Sequence, residues 1–496
     1  MEQGFNRRRF LLSTAGIAGG LALPGAPLFA QSANKIRVGL MLPYTGTYAA
    51  LGNAITNGFK LAVEQGGGKL GGREIEYFTV DDESDAAKAP ENANKLIKRD
   101  NVDVLIGTVH SGVALAMTRV ARETKTLLII PNAGADEITG PLCAPNIFRT
   151  SFSAWQPAYA MGQVMAERKH KNVVTLSWKY SFGEQSVAGF KEAFEKAGGK
   201  VVKEMYLPFP NVEFQPYLTE IAALKPDAVF VFFAGGGAVK FVKDYDAAGL
   251  KKTIPLYGSG FLTDGTLEAQ GDSAEGILTT LHYADGLDIA KDKAFRTAYA
   301  MAFKMQPDVY AVQGYDAAQL FAAGLAGVGG DVTKREALIA AMEKATVDSP
   351  RGRFTLSKAH NPVQDIYLRK VEAKQNKLVS VAAKGTGRSG ARLPDVTQVA
   401  CPGGECAGVR QARPRAAQAP PARHHCFGRR SPSSANAAPL HLHSGANGAR
   451  RDTAMDFSTF LIQLLNSLQY GLLLFLVASG LTLIFGIMGI INLAHG

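Results

Sequence analysis

Residues 102–139 read VDVLIGTVHSGVALAMTRVARETKTLLIIPNAGADEIT, and this stretch decides the fold. Val102–Ile106 is a short apolar run, expected as a strand buried on both faces. Gly107–Gly112 then turns sharply, and Val113, Met117, Val120 and Ala121 recur at helical spacing. Leu127–Ile130 is a second buried strand, left through a turn at Pro131–Ala135. The unit is strand–turn–helix–strand, with its turns at the carboxyl ends of parallel strands, where open α/β sheets bind ligands. Ser111 and Gly112 fall where a helix N-terminus offers free N–H groups and a favourable dipole to an anion. Ser111 as a plain N-cap is the other reading, and this unit alone leaves both open.

Strand and helix patterns alternate on either side. Ile36–Leu42 is a strand, Pro43–Gly52 a loop, Ala54–Gln65 an amphipathic helix, Glu74–Val80 a strand and Ala86–Lys98 a helix. After Phe148-Arg149-Thr150 the alternation restarts, with strands expected at Val173–Ser177, Val201–Tyr206, Ala228–Phe233 and Pro255–Gly258. Helices are expected between them at Glu184–Ala197, Phe214–Leu224 and Val239–Ala248. Ile277–His282 reads as a returning strand, followed by helices at Lys293–Phe303, Ala311–Ala326 and Thr333–Ala345 and strands at Arg353–Thr355 and Asp365–Glu372. Such alternation predicts an α/β protein with parallel sheets in two lobes.

The 496-residue chain is long enough for two or three domains. Its net charge of +11 is concentrated outside the folded body: Arg7, Arg8 and Arg9 stand near the start, and eight arginines stand in 401–454 against Glu405 and Asp452. The body is nearly balanced for its size, which excludes nucleic acid as a partner. Residues 1–30 read as an export signal, with an apolar run to Leu23 and cleavage after Ala30. Asn6–Leu11 resembles a twin-arginine signal, an ordinary secretory signal being the alternative.

The order of parts from about 35 to 395 resembles the periplasmic substrate-binding proteins of the branched-chain amino acid ABC transporter family. The residues that carry it are Val38-Gly39-Leu40, Thr45-Gly46, Gly52, Asp81-Asp82, Gly107 with Ser111, Pro131 with Ala133, Glu137-Ile138-Thr139, Phe148-Arg149-Thr150, Phe182-Gly183 and Ala248-Gly249-Leu250. The resemblance implies two Rossmann-like lobes joined by a three-crossing hinge, the type I periplasmic binding protein fold, closing on one small ligand. Lobe 1 is then expected at 35–150 plus 284–353 and lobe 2 at 151–283 plus 354–395. It also implies a membrane permease as partner, no cofactor and a monomer.

In the amino acid binders of that family, the ligand carboxylate is held by a Ser at the position of Ser111 and by the turn matching Ala133-Gly134, where the second residue is usually Thr. The family's ammonium-binding Glu falls near Gly260, and no acid occurs from Lys251 to Thr263. A Tyr that helps hold the ammonium is replaced within Ala234-Gly235-Gly236-Gly237. An unpaired buried ammonium costs several kcal/mol, so a zwitterion is disfavoured. Glycines on that wall are expected to widen it for a flat ligand. Tyr44, Tyr48, Tyr180, Phe182, Phe233 and Phe261 stand in strand-end loops, and about half should line the pocket rather than a core. His110 either donates to a carboxylate or packs against Ser84. The ligand expected is a small organic acid, aromatic in preference to leucine, isoleucine or valine; branched-chain amino acid or amide binding, or a ligand-sensing module of the same fold, is the alternative.

Enzymatic signals are weak. The run Gly235-Gly236-Gly237-Ala238-Val239-Lys240 lacks P-loop spacing, and neither a dinucleotide fingerprint nor a nucleophile elbow appears. Among the cysteines only Cys143 lies in the body, and the family habit of a cysteine-containing tail makes Cys401 its candidate partner. From about Pro402 to residue 454 the composition turns to Ala, Pro, Arg, His and Ser, which predicts disorder. Gly471–Ile491 is apolar enough to span a bilayer, and 455–496 resembles the first segment of the family's permease. This reads as a translated junction between adjacent genes, a membrane tether being the alternative.

Overall fold

The computed structural model describes residues 35–386. The export signal, the basic stretch 402–454, the permease-like segment and Cys401 lie outside the described residues, and Cys143 is buried. Among the described residues no helix is long and apolar enough to cross a membrane.

The first sheet comprises β1 (Ile36–Leu42), β2 (Lys69–Leu70), β3 (Arg73–Asp81), β4 (Val104–Ile106), β5 (Leu127–Ile130) and β6 (Ile147–Arg149), in the order β2-β3-β1-β4-β5-β6. All its pairings are parallel except the β2–β3 hairpin. Helices cover both faces, so its central strands read as unbroken apolar runs. Successive side chains of β4 serve opposite faces. Val104 and Ile106 pack with Phe59 of α1 (Ala49–Gln65), while Leu105 packs with Ala93 of α2 (Ala89–Asn94) and Val113 and Met117 of α3 (Ser111–Thr124).

The second sheet holds β7 (Asn172–Trp178), β8 (Lys200–Leu207), β9 (Ala228–Phe232), β10 (Leu256–Ser259) and β11 (Leu278–Leu281), with β12 (Thr346–Val347), β13 (Phe354–Leu356), β14 (Pro362–Glu372) and β15 (Gln375–Thr386). Its order is β12-β13-β14-β11-β10-β9-β7-β8, with β15 on β14. From β8 to β11 it is parallel; β14 joins antiparallel. One face carries α4 (Trp155–Glu167) and α5 (Ser181–Lys196). The other carries α6 (Gln215–Leu224) and α7 (Gly235–Ala247), followed by the short α8 (Leu267–Gln270). Helices α9 (Ala290–Phe303), α10 (Val309–Gly327) and α11 (Arg335–Lys344) lie between β11 and β12 in the chain, and α10 lies along α1.

The short β2, β6, β12 and α8 have no expectation in the sequence patterns, and two longer elements, α4 and β15, also escape them. In α4 a proline at 157 masks the helical period, although a proline in a first turn displaces no intrahelical donor. In β15 most side chains are exposed, so no buried face repeats. The third passage between lobes also lies later than the sequence suggests. Phe354 of β13 packs in the first lobe's core and Arg149 N–H donates to His360 O at 3.0 Å, whereas β14 pairs with β11 from Tyr367 onward. The chain crosses at Pro362–Asp365.

Arg351, buried, ties the passages together. Its Nε donates to Asp316 Oδ2 at 2.9 Å and its Nη2 to Thr150 O at 2.5 Å. Its Nη1 reaches Ser151 O and the side chain of Gln364.

Candidate functional site

The carboxyl ends of strands from both sheets face one another, and their loops enclose a tight cavity of about 20 Å³. The first lobe supplies Tyr48, Leu51, Val109 and Asn132, and Tyr310 comes from α10. Phe152 comes from the first crossing, and the second lobe supplies Tyr180, Phe182, Phe232, Ala234 and Phe261. One apolar cluster runs unbroken from Leu42, Tyr48 and Leu51 to Phe182 and Phe261, so the lobes are closed on each other.

Phe182 stands edge to face with Phe152 and Phe261, while the Phe182–Phe232 and Phe152–Phe261 pairs are tilted. Phe182 meets Phe232 at 4.4 Å, Phe152 at 5.8 Å and Phe261 at 5.7 Å between centroids, and Phe152 meets Phe261 at 4.8 Å. Tyr48 Oη and Tyr180 Oη are 3.0 Å apart, a hydrogen bond across the cleft. Burial raises the pKa of Tyr48, Tyr180 and Tyr310, so all three remain hydroxyl donors. None of the cavity-lining residues carries a charge.

Of the six strand-end aromatics, Tyr48, Tyr180, Phe182 and Phe261 line the cavity. Phe233 does not. Neighbouring residues at a strand end point to opposite faces, so Phe232 enters the cavity while Phe233 packs on Phe214 and Phe241. Tyr44 bonds Thr56 through its hydroxyl, away from the cavity. Phe152, Phe232, Asn132 and Tyr310 went unread. The first three follow the strand-end rule, whereas Tyr310 lies on a helix whose approach only the packing sets.

His110, not Ser111, caps α3: its Nδ1 accepts the Gly112 N–H at 3.2 Å. The His110 ring stacks on Tyr180 at 4.4 Å and meets Phe209 at 4.8 Å, bridging the lobes rather than reaching the cavity. Burial lowers its pKa to about 4, which keeps it neutral. Ser111 is fully buried and its Oγ has no hydrogen-bond partner. The turn before α3 is held by Thr108 Oγ1, which donates to the buried Asp82 carboxylate.

Several glycine and turn expectations are corrected. The Ala133 N–H donates to Thr108 O at 3.0 Å, so it is committed to the turn and is not a free anion donor. A Cβ on Gly134 would stand 2.5 Å from Phe182 Cε2 and 2.7 Å from Phe152 Cε2, so the rings fill the space a side chain there would take. Gly235 and Gly237 do not widen the wall: a Cβ would meet Thr47 O at 2.3 Å and the Trp178 ring at 2.3 Å, respectively. Gly260 faces Arg369, whose Nη2 donates to Gly260 O at 3.1 Å. The first acid past that strand, Asp264, is buried and paired with Arg369 Nη1 at 2.7 Å, outside the cavity lining. Burial raises its pKa to about 6 in spite of that arginine.

Residues 35–376 match the family described as periplasmic binding protein. The chain belongs to that family. A solute-binding protein of an ABC transporter from R. palustris, solved in complex with benzoate, is 54% identical to this binding protein, with a TM-score of 0.70 over 71% of this chain and 97% of that one. A second, from Rhodopseudomonas palustris BisB5 in complex with 3,4-dihydroxybenzoic acid, is 34% identical, with a TM-score of 0.68 over 72% and 99%. The Leu/Ile/Val-binding protein homolog 6 of Brucella melitensis is 28% identical over 351 residues, 69% of this chain and 89% of the relative. The two-lobed α/β architecture of this binding protein is that of type I periplasmic binding proteins.

Proposed function

We propose that this binding protein delivers a small aromatic carboxylate of the benzoate type to the permease of an ABC importer, as an exported monomer with no catalytic step. The observation that carries the reading is the uncharged cavity walled by rings from both lobes. A flat ring gains offset and edge contacts there. The seat for the carboxylate is the α3 N-terminus with Ser111 Oγ, which is buried without a partner and lies outside the cavity lining, two residues past the lining residue Val109. The 54% identical relative in complex with benzoate supports the ligand class. Branched-chain amino acids are the second reading, suggested by the relative from Brucella. It is the weaker one, because no acid lines the cavity to neutralise an ammonium.

Thermal shift against benzoate, hydroxybenzoates and leucine tests this. A ligand at 100 times its dissociation constant stabilises by about 2.7 kcal/mol, a readable rise in melting temperature. Ser111→Ala should weaken benzoate binding by about 1.5–3 kcal/mol, the contribution of a hydrogen bond to a charged group. A shift with leucine and none with any aromatic acid would overturn the proposal.

A further inference from the structure

We infer that Tyr310, together with the Tyr48–Tyr180 hydroxyl pair, reads a hydroxyl on the ring of the bound acid at the end away from the carboxylate, so that 4-hydroxybenzoate is preferred to benzoate. The inference rests on the proposed ligand class and goes one step past it.

Tyr310 is fully buried, its ring lines the cavity, and its hydroxyl has no hydrogen-bond partner. Buried polar groups are nearly always satisfied, and one left open at a cavity wall awaits a ligand group or a water. Tyr48 Oη and Tyr180 Oη share one hydrogen between them at 3.0 Å, so the pair keeps one O–H to donate and lone pairs to accept. Tyr310 likewise can donate and accept. A phenolic hydroxyl matches such a set because it does both, whereas a carboxylate only accepts.

Charge gives the ligand its direction. A point 2.7 Å from Asp308 Oδ2, the Cβ position of Gly265, is 3.5 Å from Tyr310 Cε2, so the Asp308 carboxyl stands close to this ring. Asp308 and Asp264 both act on the Tyr310 hydroxyl, with Arg369 the opposing charge. A second carboxylate is disfavoured at that end. The β4 and β5 turns, represented in the lining by Val109 and Asn132, bring up the α3 N-terminus, which favours one.

Calorimetry on the purified protein with benzoate, 4-hydroxybenzoate and 2-hydroxybenzoate tests the assignment, first with the native chain and then with Tyr310→Phe. The native protein should bind 4-hydroxybenzoate about tenfold more tightly than benzoate, the effect of one buried hydrogen bond, and 2-hydroxybenzoate should gain nothing. Tyr310→Phe should erase that gain, bringing 4-hydroxybenzoate down to the affinity the variant has for benzoate. It removes an unpartnered hydroxyl, so its melting temperature should match the native one; the native ligand series stands independently of the variant. Equal or weaker binding of 4-hydroxybenzoate by the native protein overturns the assignment while leaving the aromatic-acid reading intact. So does an equal loss of both ligands in Tyr310→Phe, which would place the carboxylate at Tyr310. If no aromatic acid binds, both readings fall.

Discussion

Replacing Gly134 with alanine puts a single methyl group between the lobes. The new Cβ would stand 2.5 Å from Phe182 Cε2 and 2.7 Å from Phe152 Cε2. Carbon atoms settle at about 3.5–4.0 Å, so each ring must withdraw by about 1 Å. Neither ring is free to turn aside. Phe182 is braced by Phe232 at 4.4 Å, and Phe152 by Phe261 at 4.8 Å and His282 at 5.2 Å. Gly134 follows β5 of the first lobe and Phe182 opens α5 of the second, so the methyl is relieved with least distortion by a slight opening about the crossings. Overpacking of this kind costs about 1–3 kcal/mol. Because only the closed form suffers it, the cost appears as a loss of affinity of about 5- to 150-fold. Calorimetry with benzoate measures that loss, and melting without ligand should be nearly unchanged. Small-angle scattering should show compaction of the native protein at saturation, and less of it in the variant at the same benzoate concentration. Unchanged affinity would refute the wedge. A loss of unliganded stability equal to the loss of affinity would place the strain inside one lobe and refute it equally.

Two further outcomes follow from buried groups away from the cavity. His110 is held at about 4 by burial against an unfolded value of about 6.5. The unfolded chain therefore binds the extra proton first, and the stability due to His110 is present above pH 6.5 and lost as pH falls through 4. The loss is on the order of 3 kcal/mol. His110→Asn keeps an acceptor for the Gly112 N–H but does not titrate, so its denaturation midpoint should fall less steeply than the native one between pH 7 and 4. The buried Asp82 and Asp264, each raised to about 6, act in the opposite sense and cancel in that comparison; parallel curves would count against the assignment. Arg351→Met leaves Asp316 buried without its cation and frees the Thr150 carbonyl, which should cost about 3–5 kcal/mol in urea denaturation; a change below about 1 kcal/mol would mean the crossings hold together without it.

Much of the fold was legible because burial on both faces leaves a mark in one dimension. Val104-Leu105-Ile106 and Leu127–Ile130 are apolar throughout since helices cover both sides of their sheet. The strand-end rule then pointed to Tyr48, Tyr180, Phe182 and Phe261, which are brought together from positions up to 213 residues apart. The missing ammonium partner was legible as well, since an acid absent from a strand-end stretch cannot be supplied by folding that stretch differently.

What the sequence left open is what depends on the direction of a side chain or on a neighbour from the other lobe. Whether Phe232 or Phe233 faced the cavity turned on one residue of strand register, which composition does not record. That His110 and not Ser111 caps α3 was not legible, because an imidazole can cap a helix only once its ring is held in place, here by Tyr180 from across the cleft. The glycines at 235 and 237 looked like open space in one dimension, yet each lies against an atom of a distant segment. Local chemistry and periodicity determined the lobes, the ligand-facing ends of the strands and the absence of a counter-charge for an ammonium. Tertiary packing decided which rings meet and which donors stay unpaired, because those are set by contacts between residues the chain keeps far apart.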